Sequence, residues 1–304
     1  MEVILPVDKW RYMVTTGLWP KKGNFDPQGW CSNFTQEELP LALRLLEGFT
    51  FFSDELVKQM FRSAFLSVSE TVVADKNNLA GARQQWAKFI DSLVVVRVTG
   101  EVPTDADSGF AFSRLARDVL LLNEGRIVAP EVAVRHLAAG NKANILFVDD
   151  FVGSGNQFSD TWKRDYPLQG GGVSSFEKVY ASIGSAARFI YCPVICTELG
   201  RQNIARKCGG VEIIPAHFYT SRQSAISSDS AIWREDMRTE GPDFVRSVST
   251  RAGIPDNNGA EGCWRGFHKL GLALAFSHGF PDATLPIFYS TLNGWKPLLK
   301  KGAL

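Results

Sequence analysis

From residue 93 onward, short apolar runs of strand length alternate with stretches of helical spacing, and this alternation restricts the fold more than any other feature of the chain. The runs "LVVVRV" (93–98), "ILFVDD" (145–150), "FIYCPVIC" (189–196) and "VEIIPA" (211–216) read as buried strands, rich in β-branched and aromatic residues. Between them "FAFSRLARDVLLL", the short piece "FSDTWKRD" and "ELGRQNIARKC" read as helices. Strand and helix in turn call for a parallel sheet with helices on its faces, an α/β fold.

The preceding third reads as helical. "NFTQEELPLALRLLEGF" has Thr35 as its cap, "FFSDELVKQMFRSAFLSV" has Ser53, and a third helix covers "NLAGARQQWAKFIDSL". This predicts an N-terminal helical cap over 1–90, an α/β core over 91–220 and a C-terminal segment over 221–304 packed on the core. Trp30, Phe34, Phe51 and Phe52 are expected to pack the helices. Trp10, Trp19 and Trp30 admit a second reading as an aromatic docking surface.

Charge narrows the partners. The 304 residues carry 33 basic and 32 acidic side chains, a net charge of +1, so nucleic acid is not indicated. No run reaches the roughly 18 apolar residues that span a bilayer, and "MEVILPVDKWRYMV" lacks a secretory pattern. Five cysteines, an odd number, suit a reducing compartment, so the expectation is a cytoplasmic protein without membrane contact. Cys192 and Cys196 read as core thiols, since no second Cys or His pair completes a metal site.

The chemistry concentrates in "NILFVDDFVGSGNQF", residues 144–158. In an open α/β sheet, ligands sit at the carboxyl ends of strands, which predicts Asp149 and Asp150 at such a mouth. Two adjacent carboxylates there suit the hydroxyls of a ribose, or Mg²⁺ held through water. Gly153, Ser154 and Gly155 let backbone approach closely, and their N–H groups, with those of Asn156 and Gln157 at a helix start, form an anion cradle. A ribose carrying a 5′-phosphate fits both halves. The plainer alternative is a strand end followed by a turn. The Lys-Ser/Thr pair of a nucleoside-triphosphate loop is missing, and the acids precede the glycines, unlike the dinucleotide fingerprint.

"ILFVDDFVGSGNQF" resembles the phosphoribosyl-pyrophosphate motif of type I phosphoribosyltransferases. The resemblance implies a Rossmann-like parallel sheet of that kind, with Asp149 and Asp150 as catalytic acids facing the ribose and holding Mg²⁺ indirectly. It also implies that residues Gly153, Ser154, Gly155, Asn156 and Gln157 hold the 5′-phosphate. In that fold the loop after the first core strand binds pyrophosphate; here it is "TGEVPTDADSG", with Ser108 and Gly109 as backbone donors. Asp105 and Asp107 in this loop would repel bare pyrophosphate, and Arg114 and Arg117 either add charge or are solvated helix positions. Gln157 stands where salvage enzymes carry Thr or Ser, and their mobile catalytic loop with Lys or Arg has no recognisable counterpart.

A wider resemblance draws on "W…NF…E…ALRLLE", "VDDFVGSGNQ" and "FPDATLPIFYS…WKPL". Together these resemble the phosphoribosyltransferase-like family of bacterial conflict systems, some of whose members accompany retron reverse transcriptases. The resemblance implies an effector in anti-phage defence that binds phosphoribosyl pyrophosphate or a nucleotide, releases pyrophosphate if it is a transferase, and works with protein partners from the same operon. The alternative is a catalytically inactive ligand-sensing protein of a defence complex. His217 and His278 are either general acid–base groups or ordinary loop histidines. Glu198 either projects from a strand end or serves a helix first turn.

Overall fold

The computed structural model describes residues 12–19, 25–100 and 108–300. By internal contacts the chain divides into two units, one of Val57–Phe218 and one of Met1–Leu56 with Tyr219–Leu304. This division departs from the expected cap, core and C-terminal segment: residues 57–90 group with the sheet, and the earlier helices group with the C-terminal stretch.

In the first of these units five strands run parallel: β1 (Leu93–Arg97), β2 (Ile127–Val128), β3 (Asn144–Val152), β4 (Phe189–Thr197) and β5 (Val211–Ile213). Their spatial order is β2-β1-β3-β4-β5. β3 is therefore central, as its apolar run requires, because strands covered on both faces lose the polar half of the usual alternation. A sixth strand, His217–Tyr219, pairs with β4 where the chain leaves this unit. The architecture is thus a mixed α/β fold with a parallel sheet, as the alternation predicts.

Helices α1 (Ser108–Leu120), α2 (Pro130–Ala138), α3 (Asn156–Lys163), α4 (Phe176–Ile183) and α5 (Glu198–Lys207) connect the strands or flank the connections. Their starts follow from local chemistry. Pro130 opens α2 with no N–H to satisfy. The Ser175 side chain accepts the Lys178 N–H, and Thr197 Oγ1 accepts the Gly200 N–H. One face of the sheet is filled by an aromatic cluster around Phe147, Phe158, Trp162, Phe176, Phe189 and Tyr191. Phe158 stacks on Tyr191 at 4.2 Å, and Phe147 meets Phe158 edge-on at 5.1 Å. Such pairs contribute about 0.5–1.5 kcal/mol each beyond area burial, which ties α3 firmly to β3 and β4.

The other unit is built by the two ends of the chain. Strand Thr50–Phe52 pairs in parallel with Leu274–Phe276. The indole N–H groups of Trp30 and Trp295 both donate to the Ile287 carbonyl at 2.9 Å. The Ser53 hydroxyl accepts the Leu56 N–H, as the sequence predicts. Helix Leu39–Gly48 starts later than expected, with Glu38 and not Thr35 at its N-cap; Thr35 and Glu38 exchange backbone and side-chain hydrogen bonds in the turn before it. Trp30, Phe34, Phe51 and Phe52 are buried. So is Trp19 at 7 % exposure, with Trp30 at 0 %, which removes both from the expected docking surface; Trp10 lies outside the described residues.

Candidate functional site

β1 stops before β3 does. The β1–β3 ladder ends at Arg97↔Val148, whereas β3 stays paired with β4 as far as Val152↔Cys196. Asp149 and Asp150 follow directly where β3 loses its β1 neighbour, at the carboxyl end of the sheet where such folds take ligands. The β3–β4 register pairs Asp149 with Pro193 and Phe151 with Ile195, passing over Asp150.

The two acids are not equivalent. Asp149 is only 2 % exposed. Its Oδ2 accepts the Tyr191 hydroxyl at 2.8 Å and its Oδ1 accepts the Asp150 N–H at 3.0 Å. Asp150 is half-buried, with Oδ1 accepting the Phe151 N–H at 2.8 Å. The expectation that both carboxyls open onto the mouth is therefore corrected for Asp149. Successive strand side chains alternate between faces, and Asp149 takes the face of Phe147, towards the aromatic cluster. Burial first, then the neighbouring Asp150 charge, hold its carboxyl well above the ordinary carboxylate range; the Tyr191 hydrogen bond pulls the other way. The Tyr191 phenol is itself pushed up, by burial and then by Asp149.

After Val152 the chain turns through Gly153, Ser154 and Gly155 into α3. Gly155 is left-handed, with φ +75°. The N–H groups of the first turn of α3 have no acceptor within the helix, and the positive end of its dipole lies at Asn156. Gln157 is exposed and Asn156 half-buried, whereas Ser154 and Gly155 are buried. The Ser154 hydroxyl accepts the Asn156 N–H at 3.4 Å. Strand, turn and helix thus follow the predicted order, with backbone donors grouped at the helix start.

Helix α5 supports this turn from behind, a relationship missed in the sequence reading. Thr197 Oγ1 donates to the Gly153 carbonyl, Asn203 Nδ2 to the Ser154 carbonyl at 2.9 Å, and Lys207 Nζ to Asn156 Oδ1 at 2.9 Å. A Cβ at Gly155 would lie 2.9 Å from the Gly200 carbonyl oxygen and 2.8 Å from Ile204 Cγ1. One at Gly200 would lie 2.7 Å from the Gly153 carbonyl oxygen. Gly155 is thus demanded by α5 and by its own φ, before any ligand is considered. The available signal was the spacing Thr197, Gly200, Asn203 or Ile204, Lys207, which marks one face of a helix.

The expected pyrophosphate loop is described only at its ends. Residues 101–107, including Asp105 and Asp107, lie outside the described residues; Ser108 and Gly109 open α1. Where β1 exits, the Thr99 N–H donates to Thr161 Oγ1 at 3.2 Å and the Thr161 hydroxyl donates to the Thr99 carbonyl at 3.0 Å. Arg164 adds Nη1 to Thr99 Oγ1 at 2.7 Å and Nη2 to the Gly100 carbonyl at 2.6 Å. The loop therefore leaves from a point fixed to α3. Arg114 is exposed, and Arg117 bonds Asp118 at 2.9 Å and approaches Glu124 at 3.6 Å, as solvated helix positions do.

Other candidates lie elsewhere. His217 is exposed on the short strand after β5, and His278 stacks on Phe276 at 5.2 Å in the other unit. Glu198 serves the first turn of α5 and bonds Arg201 at 2.8 Å. All five cysteines are free and buried. Among the described residues no group of three or more His, Cys, Asp or Glu is placed to hold a metal. No helix among the described residues is long and apolar enough to cross a membrane.

Residues 27–301 match the family model described as PRTase-CE. A search of curated proteins finds no match.

Proposed function

We propose that this chain, which belongs to the PRTase-CE family, binds a phosphoribosyl compound or a nucleotide at the β3–α3 turn and transfers the ribosyl group. One observation carries the reading: half-buried Asp150, the left-handed Gly155 and the open first turn of α3 follow one another at the carboxyl end of the central strand. Backbone N–H groups of Gly153 to Gln157 take the 5′-phosphate. Asp150 accepts from a ribose hydroxyl. In transfer, the bond from the anomeric carbon to the leaving oxygen breaks with its electron pair, and the acceptor's lone pair forms the new bond. The sugar is cationic in between, and a carboxylate charge nearby favours that state over the neutral ground state. Mg²⁺, when bound with the ligand, offsets the charge of departing pyrophosphate.

Defence against phage, with partners from the same operon, is the setting this proposal adopts, on the sequence resemblance described above. A second reading, a ligand sensor without turnover, is favoured by one observation: the inward turn of Asp149 leaves a single carboxylate towards the ligand. Incubation with phosphoribosyl pyrophosphate and a nucleotide pool, with and without Mg²⁺, separates the two by mass spectrometry. New ribosylated products support transfer. Bound but unchanged ligand supports the sensor, and absence of binding removes both.

A further inference from the structure

We propose that Tyr191 is a positioning residue of the β3–α3 site: its hydroxyl holds the Asp149 carboxyl inside the sheet, so that Asp150 alone meets the sugar. This rests on the ribose-phosphate reading above and assigns different work to the two acids. The geometry is specific. Tyr191 lies on β4, opposite Phe147 in the register, and its ring stacks on Phe158 of α3 at 4.2 Å with planes 16° apart. The ring is therefore clamped between β3 and α3, and its hydroxyl reaches Asp149 Oδ2 at 2.8 Å. Asp149 Oδ1 is occupied as well, by the Asp150 N–H. Both oxygens of one acid thus serve the protein, one anchoring the side chain and the other orienting the backbone of its neighbour.

The hydrogen bonds also explain how a carboxyl persists in this place. A carboxyl within an aromatic cluster is costly unless its oxygens find donors, and the Tyr191 hydroxyl and the Asp150 N–H supply them. Burial, then the neighbouring Asp150 carboxyl, push the Asp149 carboxyl up, and the Tyr191 hydrogen bond pulls it down.

The test compares Tyr191→Phe, Asp149→Asn and Asp150→Asn with the wild-type chain by calorimetric titration in magnesium buffer, using ribose 5-phosphate and inorganic phosphate as probes. Tyr191→Phe keeps the ring stack and removes only the hydroxyl. Its affinity for ribose 5-phosphate is expected to fall about tenfold, the size of one hydrogen bond of about 1.4 kcal/mol, while inorganic phosphate binds unchanged. A merely structural role would lower the melting temperature and weaken both probes together. Asp149→Asn is expected to bind ribose 5-phosphate within about threefold of wild type, and Asp150→Asn to lose the sugar-dependent part of the affinity. Equal losses in the two Asn variants, or full affinity in Tyr191→Phe, would overturn the assignment and leave the ribose-phosphate reading standing. If Asp149→Asn does not fold, Tyr191→Phe decides alone. A wild-type chain that binds phosphate but gains nothing from the sugar overturns the assignment. One that binds neither probe removes the underlying reading and the assignment with it.

Discussion

Gly200→Ala sets two effects of opposite sign against each other. Gly200 lies in the first turn of α5, where alanine gains up to about 1 kcal/mol of helix propensity. The added Cβ, however, would stand 2.7 Å from both the Gly153 carbonyl oxygen and Val152 Cγ1. The carbonyl is backbone, so it cannot give way by a rotamer change. Either the turn or the helix must move, and overpacking of this kind costs about 1–3 kcal/mol. The net is a loss of about 1 kcal/mol, which in a unit of this size lowers the melting temperature by about 2–4 °C. The turn proposed above to take the phosphate moves with it, so on that proposal inorganic phosphate affinity should fall tenfold or more, at about 1.4 kcal/mol per decade. Thermal melting and phosphate calorimetry on the same preparation read both quantities. A variant that melts higher than wild type and binds phosphate equally well would refute the claim that α5 sets the shape of the turn.

Asp149 makes stability depend on pH in a stated direction. A carboxyl whose folded value is raised stabilises the fold fully below its unfolded value of about 3.9, and that contribution is lost as pH rises through the raised folded value. Urea melts across pH should therefore show a decline above the ordinary carboxylate range that Asp149→Asn flattens. Arg164→Ala removes the donors to Thr99 and Gly100 and should cost about 1–2 kcal/mol, with faster amide exchange at Thr99. Cys192 and Cys196 are fully buried and their thiols are pushed up, Cys196 to about 12. Iodoacetamide should leave both unmodified in the native chain and label them in urea, as mass spectrometry of the peptides will show.

The parallel sheet was legible because its central strands, β3 and β4, are largely buried on both faces and announce themselves as continuous apolar runs. β2 was not, since Ile127–Val128 offers only two residues to read, and α2 and α4 were passed over with it. The turn at 153–155 was legible as the step from strand to helix, but the reason for its glycine was not. That reason lies in α5, some 45 residues further on, and depends on a three-dimensional contact. The split between Asp149 and Asp150 was nearer to hand. Alternation along a strand already separates neighbouring side chains, and reading "DD" as a matched pair set that rule aside. The union of the two chain ends in one core was out of reach, because Trp30 and Ile287 carry no local mark of their partnership.

Helix α3 also works as a spacer. It bears the 153–157 turn at its beginning, and at its end Thr161 and Arg164 hold the point where β1 gives way to the 101–107 loop. One residue more or less between Asn156 and Thr161 would shift Thr161 by about 1.5 Å and turn it by about 100°, away from Thr99. The exit of β1 at Thr99 and the start of α3 at Asn156 are therefore held at a distance set by one stretch of helix. The residue count between Asn156 and Thr161 is what keeps that gauge, and a single deletion there would break it without replacing any side chain at either end.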